Sequence, residues 1–419
     1  MPATIITNIK SLVNTRDPAK PLYGKDLSTL PSIENAYIII EGDEIADFGE
    51  MKNLSLSTSG LKNTTDATDQ FILPAWCDSH THLVFAQSRE GEFVDKIKGL
   101  TYAEIAAKGG GILNSAEKLN NSTEDELFNS AWKRLKELAK LGTGAVEIKS
   151  GYGLTVEGEL KMLRVIKKLK EKSNVLIRST FLGAHTYPLQ YKNNHKEYID
   201  EIINKMLPAI AGERLADYID VFCETGFFSP EEMETICNAA KQYGLQPKLH
   251  VNQLNSIGGI EKGIQLNALS LDHLETMTDN DIAILGKVST DQSWKGVCTL
   301  LPTAAFFLRM PYQPARKLID NGCAVALASD FNPGSSPGGN MNFVVSLSCI
   351  QMKMLPEEAI NAATINGAYA MGLQDKAGTI TVGKKANLIF TKPIPTLGYL
   401  PYAFSSNCID KVMIAGQFV

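Results

Sequence analysis

Between residues 71 and 375, short apolar runs alternate with longer stretches of helical period. The runs are 71–79, Gly144–Lys149, Leu176–His185, Tyr218–Glu224, Pro247–Val251, Ala268–His273, Val297–Leu301 and Ala324–Ser329. Each has strand length, and the intervals are long enough for helices, which predicts parallel βα units closing into a (β/α)8 barrel. One interval is clearly periodic: Met162, Leu163, Val165, Ile166 and Leu169 share one face of a 3.6-residue repeat, and the lysine-rich run 167–172 reads as its solvated face.

The flanks have a different pattern. Thr4-Ile5-Ile6 and Ala36–Ile40 precede a turn at Glu41-Gly42-Asp43, and Ala386–Phe390 and Lys411–Ala415 echo them near the other end. The expected organisation is α/β: a barrel over 71–375, flanked by a small β-sandwich domain that residues 1–70 and 376–419 build together.

Composition narrows the class. Of 419 residues, 44% are apolar and 21% charged, as in ordinary globular proteins. The 41 Lys and Arg against 46 Asp and Glu leave a formal charge of −5, which argues against nucleic acid as a partner. No apolar run approaches the ~20 residues of a membrane helix, and Met1 to Val13 lack the pattern of a secretory leader. Seven cysteines without a C-x-x-C pair are expected as free thiols in a reducing, cytoplasmic compartment.

Reactive side chains cluster at run ends. His80 and His82 follow the first run; residues two apart on an extended strand share a face, so both imidazoles can converge on one metal. His185, His250 and His273 fall at or just past later strand ends, the face where such barrels carry their active sites, whereas His195 lies in a polar stretch. Asp330 closes Cys323–Ser329, where an unpaired buried carboxylate is costly. It reads as a metal ligand or proton acceptor, or else as the cap of a helix beyond Gly339. Lys108-Gly109-Gly110-Gly111 lacks phosphate-loop spacing and is expected to be a flexible loop covering the site.

H-x-H after the first strand, histidines after the fifth and sixth, and aspartate after the eighth resemble the amidohydrolase superfamily. Within it, the stretches Glu147–Leu154, Phe181–Thr186 and Asp330–Ser335 are similar to the imidazolonepropionase family of histidine degradation. This resemblance implies one metal ion per chain, Zn2+ or Fe2+/Fe3+, held by His80, His82, His250 and Asp330. His273 stands beside the metal, and Arg89, Tyr152, His185, Gln253, Asn332, Gly334 and Ser335 meet the substrate. Phe222-Cys223-Glu224 lacks the lysine that bridges two metals in many superfamily members, which favours one metal.

The implied reaction is hydrolysis of the ring C–N bond of 4-imidazolone-5-propanoate to N-formimidoyl-L-glutamate. Hydroxide generated at the metal attacks the ring carbonyl, Asp330 and His273 move protons, and His185 polarises the carbonyl. Arg89 is the expected propionate anchor, against a plain pairing with Glu90 or Glu92. The alternative is another cyclic amide hydrolase or deaminase of the superfamily, acting on a small anionic heterocycle. The family resemblance also implies a homodimer. Gln253 stands where some members carry Glu, and an amide cannot act as a base; Asn387 stands where an aspartate is expected.

Overall fold

The computed structural model describes residues 3–16, 20–54, 61–100, 104 and 110–419. Lys108 and Gly109 of the glycine loop lie outside them.

Eight parallel strands form the central sheet in chain order: β6 (Trp76–Asp78), β7 (Thr143–Lys149), β8 (Leu176–Ala184), β9 (Tyr218–Cys223), β10 (Gln246–Val251), β11 (Ser270–His273), β12 (Val297–Leu300) and β13 (Val325–Leu327). The first and last strands meet through a seam rather than a full ladder. Asp330 N–H donates to His80 O at 3.0 Å and His82 N–H to Phe331 O at 2.9 Å. Below them, the Asp78 carboxylate accepts from Ser329 N–H at 2.9 Å and from Ser329 Oγ at 2.6 Å. This closure brings the His80/His82 pair beside Asp330.

The predicted helix is Val156–Lys172; Met162, Leu163, Val165, Ile166 and Leu169 are all buried, and Lys168 reaches Glu124 at 3.2 Å. Its Thr155 cap accepts from Gly158 N–H, satisfying one of the free donors of the first turn. No described helix is long and apolar enough to cross a membrane.

The terminal strands form one mixed sheet. Its members are β1 (Ala3–Val13), β2 (Ser32–Glu41), β3 (Glu44–Glu50), β4 (Leu61–Asp66), β5 (Phe71–Pro74), β14 (Leu388–Thr391), β15 (Ile409–Ile414) and β16 (Gln417–Phe418). The sheet branches at β1, which pairs with β4 along its first half and with β5 at its end. Ile6, Ile9, Leu12, Ile38, Ile72, Leu388 and Phe390 give it a core separate from the barrel's. The run 71–79 is therefore not a single strand: Phe71–Pro74 pairs with terminal strands β1 and β14, and the chain enters the barrel only at Trp76. Asn387 ties the two parts, donating from Nδ2 to Gly144 O at 3.1 Å and accepting from Ala415 N–H at 2.7 Å.

Candidate active site

Just past the C-terminal ends of the barrel strands is a cavity of about 520 Å³. His82, Arg89, Tyr152, His185, His250, Gln253, His273, Asp330, Asn332, Gly334 and Ser335 line it. His80, fully buried, lies beneath them. Every site residue singled out from the sequence is thus in one place. His195, by contrast, is exposed and stacks on Tyr187 with ring centroids 3.6 Å apart. A larger cleft, about 1060 Å³, is lined by residues such as Tyr23, Gln292 and Arg316 and contains no histidine.

The floor is a set of metal-type donors. His80, His82 and His250 form one close group, and His80, His273 and Asp330 another, so His80 is common to both. Asp330 Oδ1 stands 3.5 Å from His80 Nε2 and 3.6 Å from His82 Nε2. Each of two rings is fixed from behind: His80 Nδ1 contacts Asp272 Oδ2 at 2.7 Å and His250 Nδ1 contacts Asp220 Oδ2 at 2.7 Å. Carboxylates accept, so both Nδ1 atoms carry protons and both Nε2 atoms offer lone pairs. Burial, then neighbouring positive charge, holds the imidazoles of His80, His82 and His250 well below the ordinary histidine range, which keeps them neutral. His80 Nε2 and His250 Nε2 nevertheless face each other at 3.1 Å. Two lone pairs at that distance repel unless a cation lies against both, so the donor set fits a divalent metal.

Asp330 does not cap the following helix, Met341–Met352; Asn340 does. Burial pushes the Asp330 carboxyl up to about 7. Burial also acts to lower His273, but the Glu275 carboxylate, 3.1 Å from its Nδ1, outweighs it and raises the ring to about 9. A bound dication would favour the deprotonated form of both. His273 and Asp330 have φ of 87° and 53°, in the left-handed region that is uncommon outside glycine, although Asp and His enter it more readily than most residues.

His185 is set differently. Its Nδ1 donates to Gly151 O at 2.9 Å, and burial lowers its pKa to about 4, so neutral His185 keeps a lone pair on Nε2. The loop carrying Tyr152 is shaped by Glu159, a buried helix carboxylate that accepts N–H bonds from Gly151, Gly153 and Leu154 at 3.1, 2.7 and 2.9 Å. Gly153 is required there, because a Cβ would come within 2.2 Å of Glu159 N.

Arg89 contacts Glu92 through Nε at 2.9 Å and Nη2 at 2.7 Å, yet still forms part of the cavity wall. A Cβ on Gly334 would lie 2.3 Å from Arg89 Nη1, so only glycine lets the guanidinium close on this loop. The Asn332 side chain is engaged within the loop: Oδ1 accepts from Gly334 and Ser335 N–H, each at 2.8 Å, and Nδ2 donates to Asp330 O at 2.7 Å. Glu224 is in neither donor group; its carboxylate accepts from Leu254 N–H at 2.7 Å and Asn255 Nδ2 at 2.9 Å. Lys96 also lines the cavity and was not singled out in the sequence; seven residues past Arg89, nothing in its local pattern marks it.

This architecture and its donor set define a metal-dependent hydrolase class. The chain belongs to the amidohydrolase family, whose sequence profile matches residues 71–419. Within that family, a protein named imidazolonepropionase from Flavobacterium johnsoniae is 57% identical over 418 residues, covering 99% of this chain and 100% of its own. Proteins of the same name from Christiangramia forsetii and Clostridium tetani are 55% and 42% identical, covering 99% and 95% of this chain and 99% and 93% of theirs. Similarity this high over whole chains places the protein among the imidazolonepropionases of the family. Escherichia coli guanine deaminase shares the fold, with a TM-score of 0.73 at 14% identity over 100% of this chain and 99% of that one.

Proposed function

We propose that the protein hydrolyses 4-imidazolone-5-propanoate to N-formimidoyl-L-glutamate, a step of histidine degradation. The observation that carries this reading is one cavity with metal-type donors on its floor and the cations Arg89 and Lys96 in its wall. A planar cyclic amide with a carboxylate tail matches both chemistries, whereas a neutral nucleobase brings no anionic group to the cationic wall.

In this reading His80, His82, His250 and Asp330 hold one ion, zinc or iron, since three imidazoles and a carboxylate suit either. The engagement of the buried Glu224 carboxylate by Leu254 and Asn255 supports a single ion. When bound, it supplies Lewis acidity that lowers the pKa of water from 15.7 to about 7.

Arg89 takes the propionate in a charge-assisted pair, with Lys96 and Ser335 beside it. As water adds to the ring carbonyl carbon, Asp330 accepts its proton. As the ring C–N bond breaks, Asp330 returns that proton to the departing nitrogen. His273, held by Glu275, faces the developing charge and assists the transfer. His185 is better suited to accept a hydrogen bond from a ring N–H than to polarise the carbonyl, because its Nε2 lacks a proton in the neutral form. Gln253 orients the ring without titrating. A cytoplasmic, homodimeric enzyme belongs to the same proposal; the seven unpaired cysteines support the reducing location.

The test is incubation of purified, metal-loaded protein with 4-imidazolone-5-propanoate. Ultraviolet absorbance of the ring should fall as N-formimidoyl-L-glutamate appears by mass spectrometry. A stable ring in the presence of metal-loaded protein would refute the proposal.

A further inference from the structure

Under the donor floor the barrel interior is ionic. Lys149 and Lys248 are completely buried among Glu147, Asp220 and Asp272, which are buried as well. Lys149 Nζ lies 2.7 Å from Glu147 Oε1, 2.9 Å from Asp220 Oδ2 and 3.5 Å from Asp272 Oδ2. The same two aspartate oxygens contact His250 Nδ1 and His80 Nδ1, each at 2.7 Å. One ammonium therefore stands behind two separate carboxylate–imidazole pairs. Lys248 is placed otherwise, contacting Glu147 Oε2 at 3.0 Å, Ser270 Oγ at 2.7 Å and Ala370 O at 2.8 Å.

We propose that Lys149 is the positioning residue that sets the tautomers of His80 and His250, holding Asp220 and Asp272 where each accepts a hydrogen bond from a protonated Nδ1 and so leaves Nε2 free to bind metal. Carboxylates behind metal-bound histidines fix ring orientation and tautomer, and losing such partners typically costs about 10–100-fold in metal affinity. Here Lys149 is the ammonium in contact with both carboxylates, and Lys248 adds a counter-charge to Asp272 without an ion-pair contact. Without Lys149, two buried carboxylates lose their shared counter-charge and are free to turn from the rings. The inference rests on His80 and His250 being metal ligands, but its first readout needs no metal.

With only six histidines, selective ¹⁵N-histidine labelling resolves the tautomers by NMR in metal-free protein. Wild type should show His80 and His250 protonated on Nδ1. Lys149→Met should show Nε2-protonated or mixed forms, and its Zn2+ affinity in chelator competition should fall at least tenfold. Lys248→Met should leave both tautomers as in wild type. If Lys149→Met fails to fold, Glu147→Gln/Lys149→Met, which also removes one carboxylate charge, carries the same expectation. Unchanged tautomers and affinity in a folded Lys149 variant, or equal losses in Lys248→Met, would overturn the inference. Failure of wild type itself to bind Zn2+ would instead overturn the metal assignment.

Discussion

His80 Nε2 and His250 Nε2 face each other at 3.1 Å, and the opposite nitrogen of each ring is committed to a buried carboxylate. Neither ring can relieve the contact by moving its proton without breaking that bond. The relationship makes metal content the first expectation. Wild type should purify with close to one equivalent of zinc or iron per chain by elemental analysis. His80→Ala should retain the barrel by circular dichroism and lose the ion. Two equivalents in wild type, or full occupancy in the variant, would contradict the mononuclear assignment.

Arg89 and Gly334 form a second unit. Arg89→Ala removes a charge-assisted contact worth about 1.5–3 kcal/mol, roughly ten- to a hundredfold in kcat/KM. Gly334→Ala should act in the same direction, because the added Cβ would clash with Arg89 Nη1 and push the guanidinium from its place in the wall. Both variants should keep their metal. Unchanged kinetics in Arg89→Ala would leave Arg89 as a partner of Glu92 alone.

Proton transfer is tested at His273. General acid–base groups contribute about 10²–10⁴-fold, so His273→Asn should lower kcat with KM little changed, the pattern of an interaction made mainly in the transition state. A variant with full kcat would leave proton transfer to Asp330 alone.

His185 makes stability depend on pH. Its folded-state value is depressed to about 4 by burial, while an unfolded histidine titrates near about 6.5. Below the unfolded value the unfolded chain binds the proton and the folded one resists it, so stability is lost as pH falls through this window. The shift corresponds to about 3 kcal/mol at full development. In metal-free protein, His185→Gln should therefore lose less stability on acidification than wild type. The difference should open below about 6.5 and level off near about 4. Parallel stability–pH curves from urea melts would contradict this.

Much of this was legible in the sequence, because apolar runs and 3.6-residue periods report burial directly. Met162 to Leu169 shows the period plainly, and the histidines at strand ends point to the site. The division at Ala75 was not legible: Phe71–Pro74 and Trp76–Asp78 are equally buried, so polarity does not change where the chain passes from one sheet to the other. The ionic barrel interior was also missed, although it left a signal. Glu147, Lys149, Asp220, Lys248 and Asp272 interrupt apolar strands, and a charge there is tolerated only with a partner. Glu147 and Lys149 share β7, but Asp220, Lys248 and Asp272 come from β9, β10 and β11, and bringing those partners together requires the barrel. The acceptor state of His185 depends likewise on Gly151 O, a backbone atom that carries no sequence signature.

The central claim is that the donor floor and the cationic wall act together on an anionic cyclic amide. The direct measurement is kcat/KM of metal-loaded wild type for 4-imidazolone-5-propanoate and for the same ring with its propionate blocked as an amide, each with and without chelator. The account predicts turnover of the acid, a loss of at least about tenfold for the blocked ring, and no turnover of either once the metal is removed. Equal turnover of the two substrates, or full activity in the stripped protein, would contradict it.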